Sequence, residues 1–261
     1  IGFTELLESN GLSEKQLDYV YKIKKSVKTL LEIINDILDF SKIEANRLNI
    51  EFIEFDLEEI LRNISRVNSI KAFDKGIELI IDEDTKILST FVGDSLRLYQ
   101  ILNNLVDNAI KYTEEGHVTL KVVLEDTKEN FKRIYFSITD TGIGISKETQ
   151  YKLFDAFVQG DGSTTRKYGG TGLGLAISQK LVKMMGGEIK INSSPKNGST
   201  FSFDLILENG RRKKDDKPKE MKSIRNLKAL IIESNQSVRT VIKNYLDTFQ
   251  IHYEEESSGI K

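Results

Sequence analysis

Cysteine, tryptophan, proline and histidine are absent or scarce in this chain of 261 residues. There is no cysteine and no tryptophan, and there are only two prolines and two histidines. The lack of cysteine excludes a disulfide framework, a zinc ribbon, a thiol nucleophile and an iron–sulfur cluster. The two histidines, His117 and His252, are far apart in the sequence and make a poor metal site. These absences favour a reducing compartment.

An excess of charge of one sign and long apolar runs are also missing. The 38 basic side chains nearly balance the 40 acidic ones, which gives a net charge of −2 and argues against binding of nucleic acid. Because no run of about 18 apolar residues occurs, the sequence predicts no membrane-spanning helix. Hydrophobic residues make up 39% of the chain, an ordinary share that allows at least one buried core.

The first long periodic segment runs from about Ser13 to Asn46 and predicts a helix. Its apolar residues repeat at spacings of three and four, the pattern of a coiled coil or helical bundle: Val20, Ile23, Val27, Leu30, Ile34 and Ile37. Ser13, with Gln16 three residues later, predicts a capping box. A flanking row widens the stripe: Leu17, Leu31, Leu38 and Ala45. The pattern favours a helix with more than one neighbour over an amphipathic helix lying on its own domain.

From Phe52 to about Glu208 the pattern becomes mixed and predicts an α+β or α/β sandwich with one helical layer. Residues 134–139 and 201–207 alternate with period two, which predicts strands. Helix-like stretches lie near 56–73, 94–112, 146–158 and 172–185. The highly charged run 211–222 predicts a linker, and residues 227–261 predict a strand, a helix and a strand that are too few to close a core.

The stretch from Asp94 to Tyr112 sorts its residues by face. A polar stripe follows the spacing of three and four: Arg97, Gln100, Asn104, Asn108 and Lys111. Asparagine is unfavourable inside a helix, so two asparagines one turn apart suggest a use outside the helix. A solvated face is an equally good interpretation of this stripe taken alone.

Two glycine motifs follow. Asp140-Thr141-Gly142-Ile143-Gly144 comes directly after the strand 134–139, where a carboxylate can accept a hydrogen bond from an exocyclic amine and glycine allows close approach of a flat ligand. The run from Gly169 to Leu175 opens the predicted helix 172–185, where free N–H groups suit phosphate. Taken alone, the first motif is only a turn signal. The polar stretch from Phe154 to Tyr168 between the motifs predicts a mobile lid.

The order of these signals resembles the N, G1, F and G2 boxes of sensor histidine kinases, with Phe154 and Phe157 as the F box. The stretch from Ile37 to Ala45 is similar to the end of the second helix of their dimerisation and phosphoacceptor hairpin. Residues 52–208 resemble the ATP-binding domain of the family that also includes gyrase B, heat-shock protein 90 and MutL. Residues 227–261 resemble the start of a receiver domain, which implies a hybrid kinase.

The resemblance implies an α+β fold in four segments. Residues 1–50 would be part of the hairpin, a long dimerisation helix without the acceptor-histidine segment. Residues 51–209 would be the sandwich that binds ATP, 210–226 a charged linker, and 227–261 an incomplete βαβ receiver-like start. The region would be cytoplasmic, and any attachment to a membrane would be decided upstream of Ile1.

The resemblance also implies a site for ATP and Mg²⁺. Asn108 would bind Mg²⁺, Asn104 would support the metal and phosphate region, and Lys111 would neutralise phosphate charge. Tyr112 would line the nucleotide, and Asp140 would read the adenine amine. Further implied contacts are Gly142 and Gly144 beside the ring, Thr200 at the base, Gly170, Thr171, Gly172, Leu173 and Gly174 at the phosphates, and Arg166 or Lys167 at the γ-phosphate.

The implied reaction is transfer of the γ-phosphoryl group to a histidine that this chain does not contain, followed by relay to an aspartate of a response regulator or receiver domain. Neither His117 nor His252 lies in an acceptor context. The implied partner is a second copy, bound through the 13–46 helix. Glu233-Ser234 replaces the acidic pair that usually closes the first receiver strand. A dimeric nucleotide-binding scaffold without transfer is the alternative. An ATP-hydrolysing clamp is disfavoured because Asn104 cannot act as its general base.

Overall fold

The computed structural model describes residues 2–8, 11–87, 90–128, 130–158, 172–211 and 227–257. The chain divides into two compact units. The first unit consists of residues 1–49 and 152–180, and the second consists of residues 50–151 and 181–261. Across the described ranges, no helix combines the length and the apolar character that crossing a bilayer requires.

The first unit is built on a short helix and a long one. Helix α1 covers Gly2–Glu8, and helix α2 covers Glu14–Glu44. The 31 residues of α2 make it about 46 Å long. The predicted helix 13–46 is confirmed, and it starts as expected: the Gln16 side chain accepts a hydrogen bond from the Ser13 N–H at 2.9 Å.

The apolar stripe of α2 is largely exposed. In this fully described helix only Val20 and Ile43 are buried. The stripe residues that remain at least 40% exposed are Leu17, Ile23, Leu30, Leu31, Ile34, Ile37 and Leu38. Near its end, the Phe40 ring meets Phe157 edge to face at 6.1 Å, and Lys180 lies over the same ring at 4.7 Å. The helix therefore presents a long apolar surface to solvent.

The second unit is built on a seven-stranded sheet in the order β1-β3-β7-β5-β4-β2, with β6 paired to β7. The strands are β1 (Ile53–Asp56), β2 (Glu78–Glu83), β3 (Thr90–Gly93), β4 (His117–Lys128), β5 (Phe131–Asp140), β6 (Lys190–Ser193) and β7 (Ser199–Asn209). Strands β2 and β4 pair in parallel, and the other pairs are antiparallel. The predicted strands 134–139 and 201–207 are confirmed within β5 and β7. Strand β2 lies at one end of the order.

Helices α3 (Leu57–Asp74) and α4 (Ser95–Tyr112) pack against each other and against the sheet. Helices α5 (Lys147–Gln150) and α6 (Gly174–Met184) follow later in the chain. The apolar face predicted for α4 is buried: Leu98, Ile101, Leu102, Leu105 and Ala109. In the sheet, Phe136 and Phe203 are cross-strand partners whose rings stack at 5.1 Å. The predicted α+β class, a long helix followed by a sheet-based sandwich, is confirmed.

The prediction of a helix over residues 146–158 was wrong beyond the first turn, because only Lys147–Gln150 is helical. The Gln150 amide nitrogen donates to the carbonyls of Ile145 and Ser193, at 2.9 and 3.0 Å, so its side chain bonds to the preceding loop and to the end of β6. Farther on, Phe157 has a φ of +64°, which an α-helix does not allow. Most of the predicted lid, residues 159–168, lies outside the described residues.

The chain ends in a strand–helix–strand segment, as the sequence predicts. Strand β8 (Lys228–Ile232), helix α7 (Gln236–Thr248) and strand β9 (His252–Glu256) follow one another, and the two strands pair in parallel. We refer to residues 227–257 as the C-terminal βαβ segment. The predicted linker lies outside the described residues from 212 to 226.

An acidic cluster at the end of β2 makes the stability of the second unit sensitive to pH. Burial, followed by the negative charges of Glu58, Asp56 and Asp84, raises the pKa of the Glu83 carboxyl from 4.5 to about 7. A folded-state pKa above the unfolded value means that folding takes up a proton between these two pH values. The free energy of unfolding therefore falls as the pH rises from 4.5 through 7.

We expect Glu83→Gln to remove most of this pH dependence. The amide cannot ionise, so the loss of about 1–2 kcal/mol between pH 5 and pH 8, a value already discounted for solvent screening, should disappear. Denaturant unfolding of the wild type and the variant at both pH values measures it. An unchanged slope in the variant would show that another group causes the dependence.

Candidate functional site

Helix α4 presents the predicted polar stripe beside the core. Its start is fixed by Asp94, whose side chain accepts a hydrogen bond from the Arg97 N–H at 3.0 Å. Asn104, Asn108 and Lys111 are half-exposed, one turn apart, while the opposite face is buried. The Asn108 amide nitrogen donates to the Asn104 side-chain oxygen at 3.4 Å. The structure thus brings the two predicted asparagines together.

The end of α4 is held by Lys75, the residue that caps the end of helix α3. The Lys75 ammonium donates to three carbonyls there, those of Ile110 at 2.7 Å, Lys111 at 2.9 Å and Thr113 at 2.9 Å. A cation at this position satisfies carbonyls that have no partner within the helix and opposes the negative end of the helix dipole. The Lys111 ammonium lies 5.1 Å from the centre of the Tyr112 ring. Lys75 therefore positions the segment that carries the predicted site residues Lys111 and Tyr112.

Asp140 is a buried carboxylate at the end of β5. The residue is only 7% exposed, and its Oδ1 accepts a hydrogen bond from the Gly142 N–H at 2.8 Å. Burial raises the pKa of Asp140, while hydrogen bonds from the Gly142 backbone and from Ser199 oppose the rise. Ser199 is its register partner on β7. The strand ends thus fix a carboxyl oxygen that can accept a further hydrogen bond from a flat ligand.

The loop after Asp140 packs against backbone on two sides. The Ile143 N–H donates to the Tyr112 carbonyl at 3.3 Å, and a Cβ at Gly142 would lie 2.4 Å from the same oxygen. On the other side, Gly198 N–H donates to the Gly142 carbonyl at 3.1 Å, and Lys196 N–H donates to the Ile143 carbonyl at 2.7 Å. The end of α4 and the first glycine motif are therefore in direct contact.

Polar side chains join the same loop to β6 and β7. The Ser193 hydroxyl donates to the Gly198 carbonyl at 2.9 Å and accepts from the Ile145 N–H at 2.9 Å. The hydroxyls of Thr139 and Thr200 lie 3.0 Å apart, which places the predicted residue Thr200 beside the strand that ends in Asp140. These hydrogen bonds connect the loop to β6 and to the turn that precedes β7.

The second glycine motif belongs to the first unit. Gly172 has a φ of +72°, and its carbonyl accepts a hydrogen bond from the Phe157 N–H at 3.2 Å. Leu173 is buried, and Gly174 starts α6. The predicted residues Arg166, Lys167, Gly170 and Thr171 lie outside the described residues. A common ligand for the two glycine motifs therefore stays a prediction.

Three residues of the site were missed by the sequence reasoning. Ser199 and Gly198 hold Asp140 and its loop, and Lys75 holds the end of α4. The pair Asn197-Gly198 is a strong turn signal that could have located the first two. Nothing in the local sequence around Lys75 announces its role, since its partners lie 35 to 38 residues away.

Two family descriptions match the chain. Residues 93–209 match the family "Histidine kinase-, DNA gyrase B-, and HSP90-like ATPase", and residues 1–46 match the "His Kinase A (phospho-acceptor) domain". The first range holds α4, Asp140 and both glycine motifs, and the second holds α1 and α2. The matches and the site thus fall on the same residues.

Relatives and a solved structure agree with these matches. The chain is 42% identical over 249 residues to the sensor histidine kinase GacS of Pseudomonas protegens, which is 95% of this chain and 27% of that protein. It is 45% identical over 208 residues to the signal transduction histidine-protein kinase BarA of Escherichia coli, 80% of this chain and 23% of that protein. The crystal structure of full-length ShkA in complex with AMPPNP superposes with a TM-score of 0.78 at 29% identity, over 99% of this chain and 52% of that one.

The chain thus spans about a quarter of the length of the curated relatives it matches. Within that span, the helical segment lies in the range 1–46, and the asparagine stripe and the two glycine motifs lie in the range 93–209. The chain belongs to the sensor histidine kinase family.

Proposed function

We propose that this chain binds Mg²⁺-ATP and transfers the γ-phosphoryl group to a histidine of a dimerisation hairpin, for relay to an aspartate of a response regulator. The observation that carries the proposal is Asp140, a buried carboxylate at a strand end beside a loop whose glycines pack closely on the backbone of Tyr112 and Ser194. The presence of AMPPNP in the ShkA complex supports a nucleotide as the ligand.

Asp140 suits recognition of an exocyclic amine. Its Oδ1 is already bonded to the Gly142 N–H, and a carboxylate keeps acceptor capacity beyond that bond. Burial raises the pKa of this carboxyl, and the hydrogen bonds from Gly142 and Ser199 oppose the rise; the ionised form accepts hydrogen bonds and does not donate them. Adenine, with its amine, fits such a group better than a base that presents a carbonyl at the same place.

Asn108 and Asn104 suit a phosphate-bound Mg²⁺. The hydrogen bond between them uses the amide nitrogen of Asn108, which leaves its Oδ1 as a hard oxygen donor on a half-exposed face. The described residues hold no group of three or more acidic, histidine or cysteine side chains placed to bind a metal. This fits a Mg²⁺ carried mainly by phosphates and water. When bound, the ion would neutralise phosphate charge in the transfer.

The chain's own part in transfer is positioning. Lys111, held one turn after Asn108 on the helix that Lys75 anchors, would offset phosphate charge. The accepting imidazole would be carried by a dimerisation hairpin. The exposed apolar stripe of α2 supports association of two copies through this helix.

We expect Asp140→Ala to weaken binding of AMPPNP in the presence of Mg²⁺ by about tenfold to a hundredfold. The change removes one hydrogen bond to a charged acceptor, which contributes about 1.5–3 kcal/mol. Isothermal titration of the full chain measures it. A matched control is Asp204→Ala, which removes an aspartate of the same sheet that pairs with Arg133 at 3.4 Å on a half-exposed surface.

Equal affinities for Asp140→Ala and the wild type would contradict the proposed base contact. Tight binding by the wild type without transfer to a hairpin histidine would instead support the nucleotide-binding scaffold.

A further inference from the structure

Helix α7 of the C-terminal βαβ segment lies along the edge strand β2. At its start, the Asn235 amide donates to the Glu78 carboxylate, and at its end the hydroxyls of Thr248 and Thr85 lie 3.3 Å apart. The 13 residues of α7 span about 20 Å, and the chain from Glu78 to Thr85 spans about 23 Å when extended. The helix and the strand therefore match in length and run in the same direction.

Two further contacts lie between these ends. The Ser237 hydroxyl is 3.2 Å from His117 Nε2, at the first residue of β4. Tyr245 approaches the end of β2, where burial, and then the charge of Glu83, raise the pKa of its hydroxyl. Contacts along the whole of α7 thus face the β2 side of the sheet.

The position of this contact has a physical rationale. Strand β2 lies at the end of the sheet order and pairs with β4 on one side. An edge strand left open is a template for unwanted pairing with another chain, and a covering helix removes that risk. The side chains that meet here are polar, as is common between domains that separate reversibly.

Because the C-terminal βαβ segment is covalently tethered, a polar contact of this kind is sufficient to keep it docked. The chain between Asn209 and Lys228 joins β7 to β8, so docking is an intramolecular event with an effective concentration on the order of millimolar. A contact too weak to hold two separate molecules can therefore be well populated within one chain.

The contact continues to the loop after Asp140 through His117. The His117 N–H donates to the Thr141 hydroxyl at 3.1 Å, and the Thr141 N–H donates to the His117 carbonyl at 3.2 Å. Thr141 lies between Asp140 and Gly142. A side chain of the C-terminal βαβ segment is therefore two hydrogen-bonded residues away from the candidate base-binding group.

We propose that the C-terminal βαβ segment docks through α7 on the edge strand β2, and that docking restrains the loop 140–144 through the Ser237–His117–Thr141 contacts. The docking surface stands independently of the nucleotide, while the meaning of the restraint for ligand binding rests on the proposed function. Both parts are tested without nucleotide, so a failure here is distinguishable from a failure of the proposed function.

A disulfide tests the docking, because the chain has no cysteine of its own. Thr85→Cys with Thr248→Cys places two thiols where the hydroxyls are 3.3 Å apart. The matched control pairs Thr85→Cys with Thr240→Cys, an exposed threonine about 12 Å back along α7. At low protein concentration we expect the first pair to form an intramolecular disulfide at least about ten times faster than the control. Peptide mass spectrometry measures the formation of the disulfide. Equal rates for the two pairs would overturn the docking.

Hydrogen exchange tests the restraint. In the full chain carrying the Thr85–Thr248 cysteine pair, we expect the amides of residues 141–145 to exchange at least about fivefold more slowly in the oxidised form than in the reduced form. Adding Ser237→Ala should remove most of that difference and leave disulfide formation intact. Identical exchange in the two forms would overturn the coupling to the loop.

Discussion

Replacing Asn108 by alanine is expected to lower phosphoryl transfer to a hairpin histidine at least about a hundredfold. Transfer of this kind depends on positioning and on neutralisation of phosphate charge, and loss of one preorganised contact to the reacting group costs about this much. The substitution removes the oxygen proposed to bind Mg²⁺ and leaves the buried face of α4 unchanged. The measurement is incorporation of label from γ-labelled ATP into a partner chain that carries an intact hairpin.

A matched control separates chemistry from folding. Asn103 is also an asparagine of α4, but its side chain accepts a hydrogen bond from the buried Asn68 amide of α3 at 2.8 Å. Asn103→Ala should destabilise the packing of the two helices by about 1–3 kcal/mol, because it leaves a buried donor with one partner fewer. Transfer at saturating ATP and Mg²⁺ should remain within a few-fold of the wild type.

Asn108→Ala tests the proposed metal contact, whereas Asn103→Ala tests the packing of the same helix. Labelling that survives Asn108→Ala at saturating Mg²⁺ would exclude Asn108 as a required metal ligand. Equal loss of transfer in Asn103→Ala would assign the effect to disruption of α4 and not to the metal.

The sequence predicted α4 well because a single periodicity determines it. Apolar residues at spacings of three and four defined its buried face, and the same spacing placed Asn104 and Asn108 on one stripe. The sequence did not predict which group binds the carbonyls at the end of α4. The three carbonyls there are bound by Lys75, whose distance in sequence makes the contact a consequence of the fold and not of the local pattern.

The stretch 146–158 failed for a related reason. Its composition suits a helix, yet the Gln150 side chain bonds to carbonyls of the loop and of β6, and Phe157 takes a left-handed conformation. Such interactions are set by tertiary contacts that override intrinsic helix propensity. The stripe of α2 shows the converse case: the sequence predicted the helix and its apolar face correctly, but the pattern alone does not identify what covers that face.

The second large effect is expected from a substitution in the first glycine motif. The structure shows that this motif, a turn signal in the sequence, requires glycine at residue 144. Gly144 has a φ of +67°, and a Cβ there would lie 2.0 Å from the Ser194 carbonyl oxygen. Real Cβ atoms do not approach backbone oxygen so closely, so an alanine must push the loop away from the 193–198 turn. Because Lys196 and Gly198 bond to the carbonyls of Ile143 and Gly142, that movement would break contacts that hold the loop beside Asp140.

Gly144→Ala is therefore expected to lower the free energy of unfolding by about 3 kcal/mol or more and to weaken AMPPNP binding at least about tenfold. Gly76→Ala is the matched control, because Gly76 has nearly the same φ, +70°, and its Cβ position has no heavy atom within 4 Å apart from those of its chain neighbours. Left-handed backbone alone costs an alanine about 1–2 kcal/mol, so the control should lose that much stability and keep its affinity. Denaturant unfolding and isothermal titration of both variants measure the difference. Equal losses of stability in the two would mean that the loop yields to the methyl group without cost, and full affinity in Gly144→Ala would separate the loop from the nucleotide site.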